Sequence, residues 1–273
     1  MTGANELTDR LRALTAKHGV PAAQAAVLAG GEVTDAAVGT LSLATGVEAT
    51  TDSVFQVGSI TKVWTATLVL QLVDEGLVEL DSPVSEYLDG FGLAGGTITV
   101  RQLLNHTAGF EGDLFHDTGS GEDAVAKFLD TISEAPQLFD PGERFSYCNA
   151  GYVVLGRLAE VLRGKPFAQV LRERLAQPLG LTHLATSAGE AILFRVAVGH
   201  LDLPGAPGLV PAPVWSLPPA IAPAGSRPPT GCRHHSRRRP GRRRPLPTFR
   251  RGRAFRLAVH RERGARSWSA GTT

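Results

Sequence analysis

The sequence predicts an α+β chain, with one antiparallel strand pair near its start and a mostly helical region after it. Three observations carry this expectation. "AAQAAVLAGGEVTDAAVG" sets Gly30-Gly31 between two apolar runs, the pattern of a hairpin turn. From about residue 59 the apolar residues recur at helical spacing rather than in alternation. The composition shifts from residue 204, with 12 of the 18 prolines between residues 204 and 247, and from Ser226 neither period survives in "SRPPTGCRHHSRRRPGRRRPLPTFRRGR".

Taken in order, Leu7 to His18 fits a helix with Leu7, Leu11 and Leu14 on one face. Ala26–Leu28 and Val33–Val38 supply the two strands of the hairpin. "VFQVGSITKVWTATLVLQLVDEGLVEL" holds a long apolar helix from about Ser59 to Glu75, stopped by Gly76. "DSPVSEYL" starts a short helical segment, and "TITVRQLLNHTAGF" offers a capped helix around Val100–Asn105 followed by a turn. "EDAVAKFLDTISEA" is amphipathic. "GYVVLGRLAEVLRGKPFAQVLRERLAQPLGL" reads as two helices broken near Gly164-Lys165-Pro166.

The totals bound the function classes. A chain of 273 residues, 42% of them hydrophobic, can bury a sizeable core. Its net charge of +2 conceals two opposed regions. Residues 1–224 carry 13 Lys and Arg against 25 Asp and Glu, whereas residues 225–273 carry 15 Arg against one Glu. The two cysteines, Cys148 and Cys232, lack metal-ligand spacing and form no disulfide framework. Neither a signal-peptide pattern nor an apolar run of 18 residues occurs, so no membrane span and a cytoplasmic protein are expected.

Ser59 and Lys62 stand three apart in "QVGSITKVW". At a helix start this spacing puts hydroxyl and amine on one face. A serine needs a base to become a nucleophile, and a lysine desolvated against an apolar wall can act as one. The helix N-terminus adds donors that favour negative charge developing at the serine. The same pair also fits a plain N-cap serine beside a solvated first-turn lysine. "FSYCNAGYVVLG" supplies Tyr147 and Asn149, two apart, so on an extended or turn segment they point the same way. The phenol can relay a proton and the amide can hold a substrate amide; a turn asparagine beside a core tyrosine is the structural alternative.

"FQVGSITKVWTATLVLQLVDEGLVELDSPVSEYL", "ITVRQLLNHTAGF" and "PGERFSYCNAGYVVLGRLAEVLRGKPFAQVLRERLAQPLGLTH" together resemble, in order, three blocks of the serine β-lactamase family. They are most similar to the branch shared by class C β-lactamases, D-alanyl-D-alanine carboxypeptidases and related esterases. The resemblance runs from about residue 7 to residue 185 and weakly to "APAGS" at 222–226. It implies a β-lactamase/transpeptidase-like fold, an antiparallel sheet flanked by helices plus a helical subdomain. It also implies a hydrolase acting through an acyl-enzyme on a small-molecule ester, amide or β-lactam, with no metal or organic cofactor. By the same resemblance Ser59 is the acylated nucleophile, Lys62 its base partner, Tyr147 a second base and Asn149 the substrate-binding amide. His106 in "HTAG" matches a family block and is read as a packing residue, as is Cys148.

The pattern breaks after residue 149. The family's Lys- or His-Thr/Ser-Gly strand, which lines the site and supplies an oxyanion-hole amide, has no equivalent: His200 is followed by Leu201. The expected organisation is therefore a hydrolase domain over 1–203, a Pro-rich connection over 204–226 and an Arg/Pro-rich tail over 227–273, with the C-terminal strands missing. A tail built of Arg, Pro, Gly and Ala without lysine or period is what a shift of reading frame near Ser226 in a G+C-rich gene would give, and we propose that origin for it. Two rival readings stand beside the enzyme. One is a penicillin-recognising fold without catalysis. The other is a binding protein whose basic tail holds nucleic acid; the acidic remainder of the chain and the absence of regular aromatic interleaving weigh against it.

Overall fold

The computed structural model describes residues 2–92, 97–114, 116–119, 121–203 and 205–212. They form two compact units, one from the described residues up to Thr51 together with those from Val196 onward, the other from the described residues between Asp52 and Arg195.

The first unit pairs a helix with a hairpin. Helix α1 (Thr2–His18) leads into β1 (Ala22–Ala29) and β2 (Glu32–Gly39), antiparallel in a register running from Ala22 opposite Gly39 to Ala29 opposite Glu32. The chain reverses at Gly30-Gly31, where the sequence predicts it. Both strands are longer than their apolar cores, because tertiary packing extends them through alanines of little intrinsic strand preference. Ala22, Ala36 and Val38 are buried, and α1 packs on both strands. The buried Gln24 amide donates to the Thr50 and Thr51 carbonyls at 2.9 and 2.5 Å, tying the hairpin to the segment that leaves this unit. A short antiparallel ribbon of β3 (His200–Leu201) and β4 (Val210–Pro211) belongs to the same unit. Here the His200 Nε2 accepts from the Leu43 N–H at 3.2 Å. Expectations about further C-terminal strands and the Arg-rich tail fall on residues 213–273, outside the described residues.

The second unit is helical. A 3-10 turn, Gly58–Ile60, runs into α2 (Thr61–Asp74). There follow α3 (Val100–Leu104), α4 (Ala124–Ile132), α5 (Asn149–Arg163), α6 (Phe167–Leu171) and, after a π-type turn over Arg172–Ala176, α7 (Ala188–Ala191). Helix α5 lies against α2, α3, α4 and α6. It is apolar on most of its circumference, as a helix enclosed by neighbours should be, with Val154, Leu155 and Leu158 fully buried. Leu68, Leu72, Leu103 and Ile132 from the surrounding helices complete that core. Thr99 and Gln102 form a reciprocal capping box at the start of α3. Gly164 ends α5 in the left-handed conformation, and Pro166 precedes α6, so the break falls where the sequence puts it. The buried Glu160 secures this corner by accepting from the Phe167 N–H at 2.9 Å and pairing with Arg157 at 3.0 Å.

One local feature differs from the sequence reading. Ser59 sits in the 3-10 turn before α2 rather than in the α-helix, and the α2 N-cap is Ile60, without a side-chain cap bond. Ser59 is therefore not a capping serine. Among the described residues no helix is long and apolar enough to cross a membrane.

Candidate active site

The site is assembled within the helical unit from three chain segments that meet at the N-terminus of α5. The first is the turn before α2. Gly58 takes a φ of +54°, a left-handed value that bends the chain into the 3-10 turn and leaves Ser59 exposed. One turn later Lys62 is half-buried and reaches back, its Nζ 3.2 Å from Ser59 Oγ. Both members of the i,i+3 pair thus lie on one face, as their spacing predicts.

The second segment is Tyr147–Asn149. Cys148 is extended, with φ −125° and ψ 110°, and is the N-cap of α5; Asn149 is the first helical residue. Asn149 Oδ1 accepts from Lys62 Nζ at 2.8 Å, which joins the two sequence motifs across 87 residues. Tyr147 enters through its ring, whose centroid lies 4.8 Å from Lys62 Nζ. Tyr152, one turn into α5, contributes a second ring at 5.7 Å. Lys62 is thus held between two aromatic faces and two hydrogen-bonding oxygens. All four residues expected from the sequence are brought together: three are linked through Lys62 hydrogen bonds and the fourth by its ring.

The third segment runs from His106 to Asp113. His106 is the one non-glycine residue with positive φ among the described residues, at 63°. Its ring lies against Tyr147 and Tyr152, with centroids 4.6 and 5.0 Å away, and its Nδ1 accepts from the Cys148 N–H at 3.1 Å. Burial, and then the charge of Lys62, lower the imidazole's pKa from its ordinary value. A neutral ring is also what the Nδ1 acceptor role requires. The packing role expected for His106 therefore includes seating the Tyr147–Asn149 segment. Further along, the Gly112 carbonyl accepts from the N–H groups of Asn149 and Ala150 at 3.1 and 3.0 Å. Asp113 Oδ1 receives the Asn149 Nδ2 at 2.7 Å. Sequence reasoning does not single out Asp113: it lies 36 residues from Asn149, in a stretch without period or motif.

Cys148 fits the packing reading. Its side chain is buried, its Sγ accepts from the Gly151 N–H at 3.1 Å, and burial pushes the thiol up to about 11, so it carries no reactive thiolate at neutral pH. Burial likewise raises the Tyr152 phenol, whose hydroxyl donates to the Leu104 carbonyl at 2.9 Å. Among the described residues no group of His, Cys, Asp and Glu is arranged to hold a metal. What the site offers is a hydroxyl, an amine in contact with it, a phenol and an oriented amide, the groups used for acyl transfer.

Comparisons with known proteins bear on the family of the chain. Residues 7–230 match the model of the Beta-lactamase family. Penicillin-binding protein 4 of Amycolatopsis lactamdurans is 46% identical over 218 residues, covering 78% of this chain and 57% of the relative. The crystal structure of SurE superposes with a TM-score of 0.63 at 33% identity, over 76% of this chain and 46% of that one. D-amino acid amidase from Ochrobactrum anthropi SV3, complexed with L-phenylalanine amide, gives a TM-score of 0.63 at 25% identity, over 76% and 61% of the two chains. The chain thus spans roughly half the length of these relatives. With the family model matched from residue 7 to residue 230, the chain belongs to the beta-lactamase family.

Proposed function

We propose that this chain is the acylating part of a serine hydrolase that cleaves an ester, amide or β-lactam bond through an acyl-enzyme at Ser59. The observation that carries the reading is the position of Lys62 Nζ, 3.2 Å from Ser59 Oγ and 2.8 Å from Asn149 Oδ1. A lysine in that place, when neutral, takes the Oγ proton as the oxygen attacks a carbonyl carbon. The C–O bond to Ser59 forms, the carbonyl becomes an oxyanion, and the bond to the leaving group breaks as that group receives a proton through Lys62 or Tyr147. A water deprotonated by the same pair then attacks the ester carbon and returns Ser59 to its hydroxyl form. Asn149 binds the acyl group's amide or carbonyl beside the reacting carbon.

The relatives named penicillin-binding protein and D-amino acid amidase favour amide and β-lactam substrates over simple esters. The expected partner is a small molecule of that kind. The test is hydrolysis of a chromogenic cephalosporin, a D-alanine anilide and a p-nitrophenyl ester by the full chain and by Ser59→Ala. Turnover or stoichiometric acylation of at least one of them, abolished in Ser59→Ala, supports the reading. A folded wild-type protein inert towards all three, or activity that survives Ser59→Ala, overturns it. Inertness with retained binding of a penicillin would instead identify the non-catalytic recognition fold.

A further inference from the structure

The side-chain amide of Asn149 is held from both ends. Its Oδ1 accepts from Lys62 Nζ at 2.8 Å, and its Nδ2 donates to Asp113 Oδ1 at 2.7 Å. An ionised carboxylate only accepts and an ammonium only donates, whereas an amide does one at each end. Rotating the amide by half a turn would set its oxygen against the carboxylate of Asp113, which is repulsive whether or not Lys62 carries its extra proton. Asp113 therefore selects the orientation of Asn149 in which Oδ1 faces Lys62.

Asp113 is itself held in place. Its backbone N–H donates to Glu111 Oε1 at 3.1 Å, and the preceding Gly112 carbonyl takes two N–H groups from the first turn of α5. The carboxylate and the helix that carries Asn149 are thus fixed to each other by backbone as well as side-chain bonds.

We infer that Asp113 is a positioning residue that sets the Asn149 amide for acylation, and this rests on the function proposed for the site. With one N–H committed to Asp113, the second N–H of Nδ2 is directed to the acyl carbonyl of the substrate while Oδ1 stays on Lys62. The charge-assisted bond also polarises the amide and strengthens that second donor. Asp113 touches no reacting atom and acts through Asn149.

The experiment combines NMR with kinetics on the full chain. In the 15N–1H spectrum the Asn149 side-chain NH2 is assigned by its loss in Asn149→Ala. In the wild type one of its two protons lies downfield, as a carboxylate-bound N–H should, and in Asp113→Ala that displacement disappears. This readout does not depend on turnover, so it separates failure of the inference from failure of the proposed function. In the kinetic arm Asp113→Ala lowers the acylation rate about tenfold with little change in thermal midpoint, and Asp113→Asn, which keeps an acceptor oxygen, recovers part of the loss. Because Asp113 works through Asn149, its removal has no further effect in the Asn149→Ala background. An Asn149 NH2 signal unchanged in Asp113→Ala overturns the inference, as does a loss of acylation equally large with and without Asn149.

Discussion

Replacing Gly112 with alanine places a methyl carbon 2.6 Å from Cys148 Sγ, 2.7 Å from its Cα and 2.8 Å from its Cβ. The clash with Sγ could be relieved by a rotamer change. The clash with Cα is against backbone and can be relieved only by moving the chain. The Gly112 carbonyl is also the acceptor for the N–H groups of Asn149 and Ala150. Displacement of either segment therefore carries the first turn of α5 with it, and with that turn the Asn149 amide that meets Lys62. Overpacking of this kind costs about 1–3 kcal/mol of stability. A shift of about 1 Å at groups that position a reaction costs roughly 10²-fold in rate. Gly112→Ala is therefore expected to lower unfolding stability in urea by about 1–3 kcal/mol and to slow acylation, followed by stopped flow, roughly 10²-fold. Adding Cys148→Ala removes the clash with Sγ and restores some stability. It leaves the backbone α-carbon 2.7 Å from the new methyl group and so does not restore the acylation rate. A Gly112→Ala protein that acylates at the wild-type rate would refute the idea that this close approach registers the site.

Other perturbations test neighbouring parts of the molecule. His106→Asn keeps a residue type tolerant of the left-handed backbone but removes the ring that packs on Tyr147 and the Nδ1 that receives the Cys148 N–H; acylation should fall while the protein still folds. Because the folded-state pKa of His106 is lowered, its contribution to stability is fully present above its unfolded value of 6.5 and is lost as pH falls through the lower folded value. The wild-type stability profile should therefore decline on the acid side of pH 6.5 more steeply than that of His106→Asn, as urea unfolding across about pH 5–8 would show. Glu160→Ala leaves the Phe167 N–H without its carboxylate acceptor and Arg157 without its partner, and should cost about 2–3 kcal/mol in chemical unfolding. Translating the gene around the codon of Ser226 in the other two frames should restore a strand carrying a Lys- or His-Thr/Ser-Gly tripeptide; if neither frame does so, the frame-shift proposal fails.

Most of the candidate site is legible in the sequence because its geometry is local. Ser59 and Lys62 are separated by one helical turn, so spacing alone puts them on a common face, whether that turn is 3-10 or α. Tyr147 and Asn149 flank one extended residue and are recognisable for the same reason. The capping box at Thr99 and the Gly164-Lys165-Pro166 break are readable because caps and breakers act within a few residues. Interactions set by tertiary packing are not legible. The alanines of β1 are held as a strand by pairing with β2 along their whole length, with Ala22 buried, against their own preference. The position of Ser59 in a 3-10 turn depends on the positive φ of Gly58, a conformation the sequence permits without requiring. Asp113 leaves no trace in the sequence, because a carboxylate in a loop without period reveals its partner only when the loop is folded over α5.

Everything proposed for this site depends on Ser59 being its nucleophile. That is tested most directly by mass spectrometry of the full chain after reaction with a fluorophosphonate, and separately with benzylpenicillin, followed by digestion and mapping of the adduct. A single covalent adduct is expected on the peptide containing Ser59, absent from a folded Ser59→Ala protein and formed more slowly in Lys62→Ala. A folded wild-type chain that takes up neither reagent, or an adduct that maps to another residue, would contradict it.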